Sequence, residues 1–148
     1  MALTVGMDAP AFTAKDSEGK TVSLSDFAGK TVVLYFYPKD DTPGCTKQAQ
    51  SFRDNYAEYQ GKEMVVLGVS MDDEASHQQF KEKYGLPFQL LADPDGTITK
   101  AYDVLGDYQG TNYAKRVTYI IDGNGKITLV DEQVKTDNHA QDILAKMS

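Results

Sequence analysis

The sequence contains a single cysteine, Cys45, among its 148 residues. One cysteine cannot form an internal disulfide, so the chain is not a disulfide-stabilised secreted scaffold. The sequence also lacks a cluster of lysines or arginines, and its net charge is −7, from 15 basic and 22 acidic residues. This charge pattern gives no support to a role in binding nucleic acid or an anionic membrane surface.

Targeting and membrane signals are missing as well. The N-terminal residues lack a basic stretch followed by an apolar one, and no apolar run approaches the length of a transmembrane helix. We therefore expect a cytoplasmic protein, with a processed organellar form as the alternative. The two histidines, His77 and His139, stand far apart in the sequence, and with one cysteine they do not make a zinc site. We expect no metal, flavin or haem cofactor.

The composition is that of an ordinary globular protein, with 41% hydrophobic and 25% charged residues. A chain of this length suits one domain with a real core, and we find no repeat, linker or low-complexity tract. We therefore expect a single domain over residues 1–148.

Apolar strands alternate with helical segments along most of the chain. Continuous apolar runs predict buried strands at Thr31–Tyr37 and Met64–Ser70. Helices are predicted from about Pro43 to Tyr59, and from a cap at Asp72 or Asp73 to Tyr84, where Gly85 closes the helix. The remaining predicted elements are strands around Ala11–Ala14, Thr21–Leu24, Phe88–Leu91, Arg116–Ile121 and Lys126–Glu132, and helices at Thr97–Tyr102 and from Asn138 to about Lys146. This order predicts an α/β fold with a central mixed β-sheet flanked by helices and an N-terminal β extension.

Cys45 lies at a predicted turn from a strand to a helix. Thr42 is a residue type that caps helices, and Pro43 is favoured at the first helical position. Cys45 then falls in the first helical turn, where backbone N–H groups lack partners and the helix dipole is positive. This location stabilises a thiolate, the nucleophilic form of cysteine.

A structural interpretation of Cys45 is also open. Cys45, Ala49, Phe52 and Tyr56 follow the spacing of one helical face, so the cysteine continues an inward apolar stripe at its exposed N-terminal end. Free cysteines are often buried and inert. The turn sequence around Cys45 favours the functional interpretation over this one.

Two neighbours of Cys45 allow two interpretations each. Thr42 can cap the helix by accepting a backbone N–H bond, and it is close enough to bond to the sulfur or to a substrate oxygen. Pro38 can simply end the strand, or it can shield a thiolate from water, since it has an apolar ring and no N–H.

These three residues form the pattern P-x-x-x-T-x-x-C, which resembles the active-site signature of the peroxiredoxins. Three longer stretches resemble the bacterioferritin comigratory protein branch of that family, also called peroxiredoxin Q: Tyr35–Thr46, Leu86–Asp93 and Arg116–Asp122. The resemblance covers nearly the whole chain, and it implies a thioredoxin-like fold and thiol peroxidase activity.

The resemblance also implies a role for each site residue. The cysteine matching Cys45 attacks the O–O bond of a peroxide, and the threonine matching Thr42 orients the substrate. The proline matching Pro38 covers the pocket. The arginine matching Arg116 stabilises the thiolate and the departing oxygen. From the sequence alone, Arg116 is the basic residue that opens a late strand, and a surface ion pair there is the simpler interpretation.

The sequence departs from this branch at two positions. Many members carry a resolving cysteine five residues after the first, where this chain has Gln50, so a sulfenic acid on Cys45 needs an external thiol. The branch also commonly has a glutamate three residues after its cysteine. Gln48 stands there, and it keeps a hydrogen-bonding amide without the charge.

Other polar residues are assigned structural roles. We expect His77 to pack or to hydrogen-bond within its helix, and His139 to lie at the surface. Lys39, Asp40 and Asp41 are expected to form a solvated loop. The segment Gly106–Tyr113 is the least predictable, and we place it at the mouth of the site.

The sequence therefore predicts a monomeric peroxidase that reduces hydrogen peroxide and organic hydroperoxides through a sulfenic acid on Cys45. The external reductant is thioredoxin, glutaredoxin or glutathione. Two other hypotheses remain: a thioredoxin-fold sensor or binding module that forms mixed disulfides through Cys45, and an enzyme of thiol transfer on glutathionylated substrates.

Overall fold

The computed structural model describes residues 3–147. Within this range nine strands are present, seven of which form one sheet and two a separate hairpin. The strands are β1 (Thr13–Asp16), β2 (Thr21–Ser23), β3 (Thr31–Phe36), β4 (Met64–Ser70), β5 (Gln89–Ala92), β6 (Leu105–Tyr108), β7 (Thr111–Ala114), β8 (Val117–Ile121) and β9 (Ile127–Asp131).

Five α-helices and one short 3-10 helix occur in the described range. The α-helices are α1 (Pro43–Asp54), α2 (Tyr56–Gly61), α3 (Glu74–Tyr84), α4 (Thr97–Ala101) and α5 (His139–Met147), and the 3-10 helix is Leu24–Phe27. None of the helices in this part of the chain has the length and apolar content needed to cross a membrane.

The seven-stranded sheet has the order β2-β1-β5-β4-β3-β8-β9. Strands β3, β4 and β5 run parallel to one another, and every other neighbouring pair is antiparallel. This is the predicted mixed sheet, and β1 and β2 are the predicted N-terminal extension. Strand β3 lies between β4 and β8, so the residues that follow β3 are near the ends of both neighbours.

The side chains of β3 alternate between two cores. Val32, Leu34 and Phe36 pack into one cluster, which includes α4 and the N-terminal extension. Val33 and Tyr35 point to the opposite face, where they meet residues of α1, α2, α3 and α5. Successive residues of a strand face opposite sides, and both sides are covered here, which explains the continuous apolar run.

Several element boundaries differ from those predicted. The helix predicted to run unbroken from Pro43 to Tyr59 is interrupted at Asn55, whose side-chain amide donates to the carbonyl of Ser51 at 2.8 Å. The β6–β7 hairpin was not predicted. Its turn residues Gln109 and Gly110 both have positive φ, at 51° and 82°. The usual sequence signal for such a turn is Asn-Gly, and this turn has glutamine, which seldom adopts a positive φ, in place of asparagine. The sequence therefore gave no sign of the hairpin.

Other boundaries agree with the sequence patterns. Strand β4 spans the predicted residues Met64–Ser70. Asp73 caps α3 by accepting from the Ser76 amide, and Gly85 ends that helix in the left-handed conformation. Strands β8 and β9 are joined at Asp122–Gly125, as expected.

Candidate active site

Cys45 is the third residue of α1, and its side chain is buried, with 1% of the residue exposed. The expectation of an exposed N-terminal end was wrong. The cysteine belongs to the aromatic cluster between the sheet and α1. Residues from two later segments also close over this helical turn, because Arg116 and Thr136 both approach the neighbouring Gly44. The Cys45 sulfur therefore lies at the N-terminus of a helix and is largely shielded from water.

Arg116 lies directly against Cys45, and its Nη2 donates to the cysteine Sγ at 3.2 Å. The sheet register explains this contact. Val117 of β8 pairs with Phe36 at the end of β3, so the residue before β8 is adjacent to the chain that leads into α1. The guanidinium and the helix dipole act on the sulfur together, and both favour the thiolate.

Gln48 is the second partner of Arg116. The Arg116 Nη1 donates to the Gln48 Oε1 at 2.6 Å, and Gln48 lies one helical turn after Cys45 in a fully buried position. Its Nε2 has no hydrogen-bond partner among the described residues. Since the amide is neutral, it holds the guanidinium in place without cancelling its charge.

Gly44 allows the guanidinium to approach closely. A Cβ at this position would lie 3.2 Å from the Nη2 of Arg116 and 3.8 Å from the Cγ2 of Thr136. The smaller distance is tighter than ordinary van der Waals contact, so any larger residue would press on the group that binds the sulfur. Gly44 was not singled out for this role from the sequence.

Thr42 occupies the N-cap position of α1 with an extended backbone, but its side chain does not cap the helix. The predicted acceptor role toward a backbone N–H is therefore wrong. The Thr42 hydroxyl instead donates to the carbonyl of Lys39 at 2.9 Å. This bond uses the hydroxyl proton and leaves the oxygen lone pairs available to accept from another group.

Pro38 is half-buried and lines a groove of about 530 Å³. The groove is formed by the loop after β3, the residues after β4, and the β6–β7 hairpin. Its lining residues are Pro38, Lys39, Met71, Asp72, Gln109, Thr111, Asn112 and Tyr113. The C-terminal half of the segment expected at the mouth of the site thus lies beside Pro38. Cys45 itself is not among the lining residues.

The loop between β3 and α1 is not uniformly solvated, which corrects the expectation for Asp40. Lys39 and Asp41 are exposed, whereas Asp40 is buried. The Asp40 carboxylate accepts from the Tyr37 hydroxyl at 2.6 Å and lies 2.6 Å from the Nδ1 of His77. His77 is fully buried and hydrogen-bonded, which confirms the structural role expected for it.

Asp40, Asp72 and His77 are also the group of described residues whose spacing could suit a metal ion, since one donor atom of each lies within 4.8 Å of the others. Asp72 already accepts from the Asp40 amide and from the Ser70 hydroxyl. Because the protein itself supplies a hydrogen-bond partner to each residue, the spacing is explained without a metal.

His139 is fully buried, so the expectation of a surface position was wrong. Its Nε2 lies 2.7 Å from the Thr118 hydroxyl, and its ring stands edge-on against Phe52. Burial lowers the pKa of His139 to about 4, although the nearby Asp131 acts in the opposite direction. The ring is therefore neutral at neutral pH.

Tyr35 is a further site neighbour that sequence reasoning missed. Its ring stacks on Phe52 at 4.8 Å, and its hydroxyl is buried with no hydrogen-bond partner among the described residues. Burial raises the pKa of Tyr35 well above its usual value, and the charge at Cys45 adds to this effect. The apolar run had indicated only that Tyr35 is a core residue.

The fold and the contact of Cys45 with Arg116 together define a thioredoxin-like protein whose chemistry is centred on one thiol. Comparison with known proteins agrees. The model of the AhpC/TSA family matches residues 5–130. The putative peroxiredoxin bcp of Coxiella burnetii is 46% identical over 151 residues, which cover 99% of this chain and 100% of that protein.

Two further proteins extend the comparison. The chloroplastic peroxiredoxin Q of Suaeda salsa is 48% identical over 136 residues, covering 91% of this chain and 63% of the plant protein, so this chain spans less than two thirds of that relative. A solved structure of the bacterioferritin comigratory protein of Xanthomonas campestris, studied for its alkyl peroxide reduction activity, has a TM-score of 0.86 and 32% identity, covering 92% of this chain and 89% of that one.

The chain therefore belongs to the AhpC/TSA family, in its peroxiredoxin Q or bacterioferritin comigratory protein branch. Peroxiredoxins are thiol peroxidases, and this chain is an enzyme of that kind with one cysteine. Its thioredoxin-like fold is the one predicted from the sequence.

Proposed function

We propose that Cys45 is the group that reacts with peroxide, and that hydrogen peroxide and organic hydroperoxides are the substrates. The observation that carries this proposal is the 3.2 Å bond from Arg116 to the Cys45 sulfur at the start of α1. A thiolate is the nucleophilic form of cysteine. The helix N-terminus and a fixed guanidinium are two groups that favour it.

The proposed reaction is a two-electron displacement. The Cys45 thiolate attacks one oxygen of the hydroperoxide ROOH, the S–O bond forms and the O–O bond breaks. The leaving oxygen takes a proton and departs as ROH, while Cys45 becomes a sulfenic acid. The sulfur is oxidised and the peroxide is reduced, so no metal or organic cofactor is needed for this step.

We assign roles to three neighbours of Cys45. Arg116 stabilises the thiolate and the negative charge that develops on the leaving oxygen. Thr42 already donates to Lys39, so its oxygen is free to accept from the O–H of the peroxide and orient the O–O bond toward the sulfur. Pro38 limits access of water from the side of the groove that it lines.

Regeneration needs a thiol from outside the chain, because the sequence has no second cysteine and Gln50 occupies the position where many relatives carry one. A thiol RSH displaces water from the sulfenic acid and forms Cys45–S–SR. A second thiol then releases Cys45 and forms RSSR. We propose thioredoxin, or glutathione with glutaredoxin, as the source.

The remaining proposals concern the state of the enzyme. We propose a monomer that folds as one domain over residues 1–148. We also propose that it acts in the cytoplasm, because its oxidised sulfur depends on external thiols, which are plentiful in reducing compartments. The chloroplastic name of the Suaeda salsa relative makes an organelle the alternative.

Intact mass spectrometry tests the assignment of Cys45. The reduced protein is treated with one equivalent of hydrogen peroxide in the presence of dimedone, which traps sulfenic acids. We expect one dimedone adduct at Cys45, and we expect none in Cys45→Ser. A folded wild-type protein that consumes peroxide without an adduct at Cys45 would refute the assignment.

Steady-state turnover separates an enzyme from a sensor. With excess peroxide and a thiol reductant, an enzyme consumes many equivalents of peroxide, whereas a sensor reacts once and stops. Parallel assays with thioredoxin and with glutathione plus glutaredoxin identify the reductant.

A further inference from the structure

The loop from Tyr37 to Thr42 carries the part of the site that faces the peroxide. It includes Pro38 and Thr42, and the Thr42 hydroxyl bonds within the loop to the carbonyl of Lys39. Asp41 in the same loop has a φ of 58°, in the left-handed region that non-glycine residues seldom adopt. Such a conformation is strained for a residue with a side chain and persists where the surroundings impose it. The loop must therefore be held from outside.

Asp40 is the residue that anchors the loop to the interior. Its carboxylate accepts from the hydroxyls of Tyr37 at 2.6 Å and Ser76 at 2.8 Å, and it contacts His77. Its backbone amide donates to Asp72 at 2.8 Å. Tyr37 belongs to the loop itself, Asp72 lies just after β4, and Ser76 and His77 lie in the first turn of α3. The side chain of Asp40 thus ties the loop to α3, and its backbone amide ties the loop to the residues after β4.

His77 completes this anchor. The ring is 0% exposed, its Nδ1 lies 2.6 Å from Asp40, and its Nε2 lies 2.9 Å from the carbonyl of Leu91 in β5. A carbonyl can only accept, so the Nε2 carries a hydrogen. The other ring nitrogen, Nδ1, faces the carboxylate of Asp40 at hydrogen-bonding distance. The pair is joined by a strong hydrogen bond in a dry site, where such bonds have well-defined geometry.

The other part of the site does not depend on this loop. The guanidinium of Arg116 reaches the sulfur from the residue before β8, and its hydrogen bonds in the described structure go to Cys45 and Gln48 of α1. The two parts of the site therefore have separate supports. Strand β8 and α1 hold the sulfur and its cation, whereas the loop with Pro38 and Thr42 is held by Asp40 and His77 in the interior and by the bonds of Asp41 to Lys83 and Tyr84 at the surface.

We propose that Asp40 and His77 are positioning residues for the peroxide, and that they fix Pro38 and Thr42 without setting the charge state of Cys45. The proposal rests on the function proposed above. Loosening this pair should therefore slow the reaction that needs an oriented substrate and leave unchanged a reaction that needs only the thiolate.

Two reactions of Cys45 in the His77→Phe variant test the proposal. One is the second-order reaction with hydrogen peroxide, measured by competition with a haem peroxidase. The other is alkylation by iodoacetamide, a neutral electrophile that requires only the thiolate, measured from about pH 5 to about pH 9. We expect the peroxide rate constant to fall about 100-fold, the usual effect of a displaced substrate-positioning group. We expect the alkylation profile to stay within about twofold at every pH.

His139→Phe is the matched control, because His139 is the other fully buried histidine and its hydrogen bond and ring contact are with Thr118 and Phe52, outside the loop. This variant should keep a peroxide rate within about twofold of the wild type. If both reactions of His77→Phe fall in parallel, or if neither changes in a folded protein, the proposal is overturned.

Two milder variants keep the test decisive if His77→Phe does not fold. Asp40→Asn removes the carboxylate charge with little change in shape, and Ser76→Ala removes one of its donors. Each should lower the peroxide rate constant by about threefold to tenfold without moving the alkylation profile. An unchanged peroxide rate in both variants would refute the proposal.

The Cys45→Ser variant distinguishes failure of the positioning role from failure of the proposed function. If Cys45→Ser consumes peroxide as fast as the wild type, the assignment of Cys45 is wrong. If Cys45 is required but the His77 and Asp40 variants react normally, only the positioning role is wrong.

Discussion

At the scale of single residues, the hydrogen bond from Arg116 to the Cys45 sulfur joins two groups that are 71 residues apart in the sequence. Replacing Arg116 by alanine removes the cation from a buried thiol, so the thiolate loses its main partner. We expect the peroxide rate constant at neutral pH to fall by at least about 100-fold, because the leaving oxygen loses its stabilising donor as well. Competition kinetics with a haem peroxidase measure this change.

The neighbouring residue provides the control for that substitution. Lys115 is exposed and forms no ion pair within the described part of the chain, so Lys115→Ala should react with peroxide at the wild-type rate. Equal effects of the two substitutions would mean that the general positive potential, and not the contact with the sulfur, is responsible.

The neutral amide of Gln48 leads to a second prediction at this scale. Gln48→Glu places a carboxylate on Arg116 and close to Cys45, so it competes with the thiolate for the same guanidinium. We expect iodoacetamide alkylation of Cys45 at neutral pH to slow by about tenfold, and the alkylation profile to move to higher pH.

Gln50→Glu is the matched control for Gln48→Glu, because it introduces the same charge two residues later on α1, at a half-buried position. Its alkylation profile should remain that of the wild type. A faster reaction in Gln48→Glu would show that a carboxylate supports the guanidinium better than the amide does.

The sequence allowed prediction of some site residues and not of others. Pro38, Thr42 and Cys45 follow from one short motif at a helix start, because a local pattern determines their relative positions. The contact of Arg116 depends on the pairing of β3 with β8, for which only the resemblance gave a reason. The burial of Asp40 depends on α3 and the residues after β4 packing against the loop, and no short pattern in the sequence records that.

At the scale of secondary structure elements, the packing of β3 against β4 depends on Gly68. A Cβ there would lie 2.9 Å from Tyr35 Cζ and 2.9 Å from Leu90 Cδ2. Both neighbours are fixed in the core, so Gly68→Ala should lower the free energy of unfolding by about 1 to 3 kcal/mol. Urea denaturation followed by circular dichroism measures this loss.

Gly61→Ala serves as the control, because it adds the same methyl group where no atom lies within 4 Å. Its stability should stay equal to or slightly above that of the wild type, since alanine favours helix. A fully stable Gly68→Ala protein would mean that Tyr35 and Leu90 can move aside.

Elements with strong local signals were the predictable ones. The apolar run of β4 and the caps of α3 at Asp73 and Gly85 are encoded within a few residues, and the structure has them where expected. The end of α1 at Asn55 was not predictable, because asparagine is tolerated within helices. Here its side chain bonds back to Ser51 and the helix stops.

At the scale of the whole molecule, stability should depend on His139. Its pKa is about 4 in the folded protein and about 6.5 in an unfolded chain, so the unfolded state binds a proton first as the pH falls. The stability contributed by the neutral ring is complete above pH 6.5 and is lost between the two values. We expect this loss to reach about 3 kcal/mol near pH 4.

The comparison of wild type with His139→Phe isolates this effect from the other titrating groups. The difference in the free energy of unfolding between the two proteins should change between pH 7 and pH 4, in the direction that favours the variant at low pH. A difference independent of pH would show that His139 does not resist protonation in the folded state.

The break at Asn55 separates α1, the helix that carries Cys45, from the short helix α2. On one side is the twelve-residue segment that carries the sulfur; on the other, the Tyr59 hydroxyl secures the following short helix to the Ala140 carbonyl at 2.7 Å. Ser51, near the end of α1, accepts from the Ala140 amide at 2.7 Å, so both helices are tied to the same residue of α5. Because Cys45 is buried, an external thiol can reach its sulfur only if the first turns of α1 open, and the bond from Ala140 holds the far end of that helix in place.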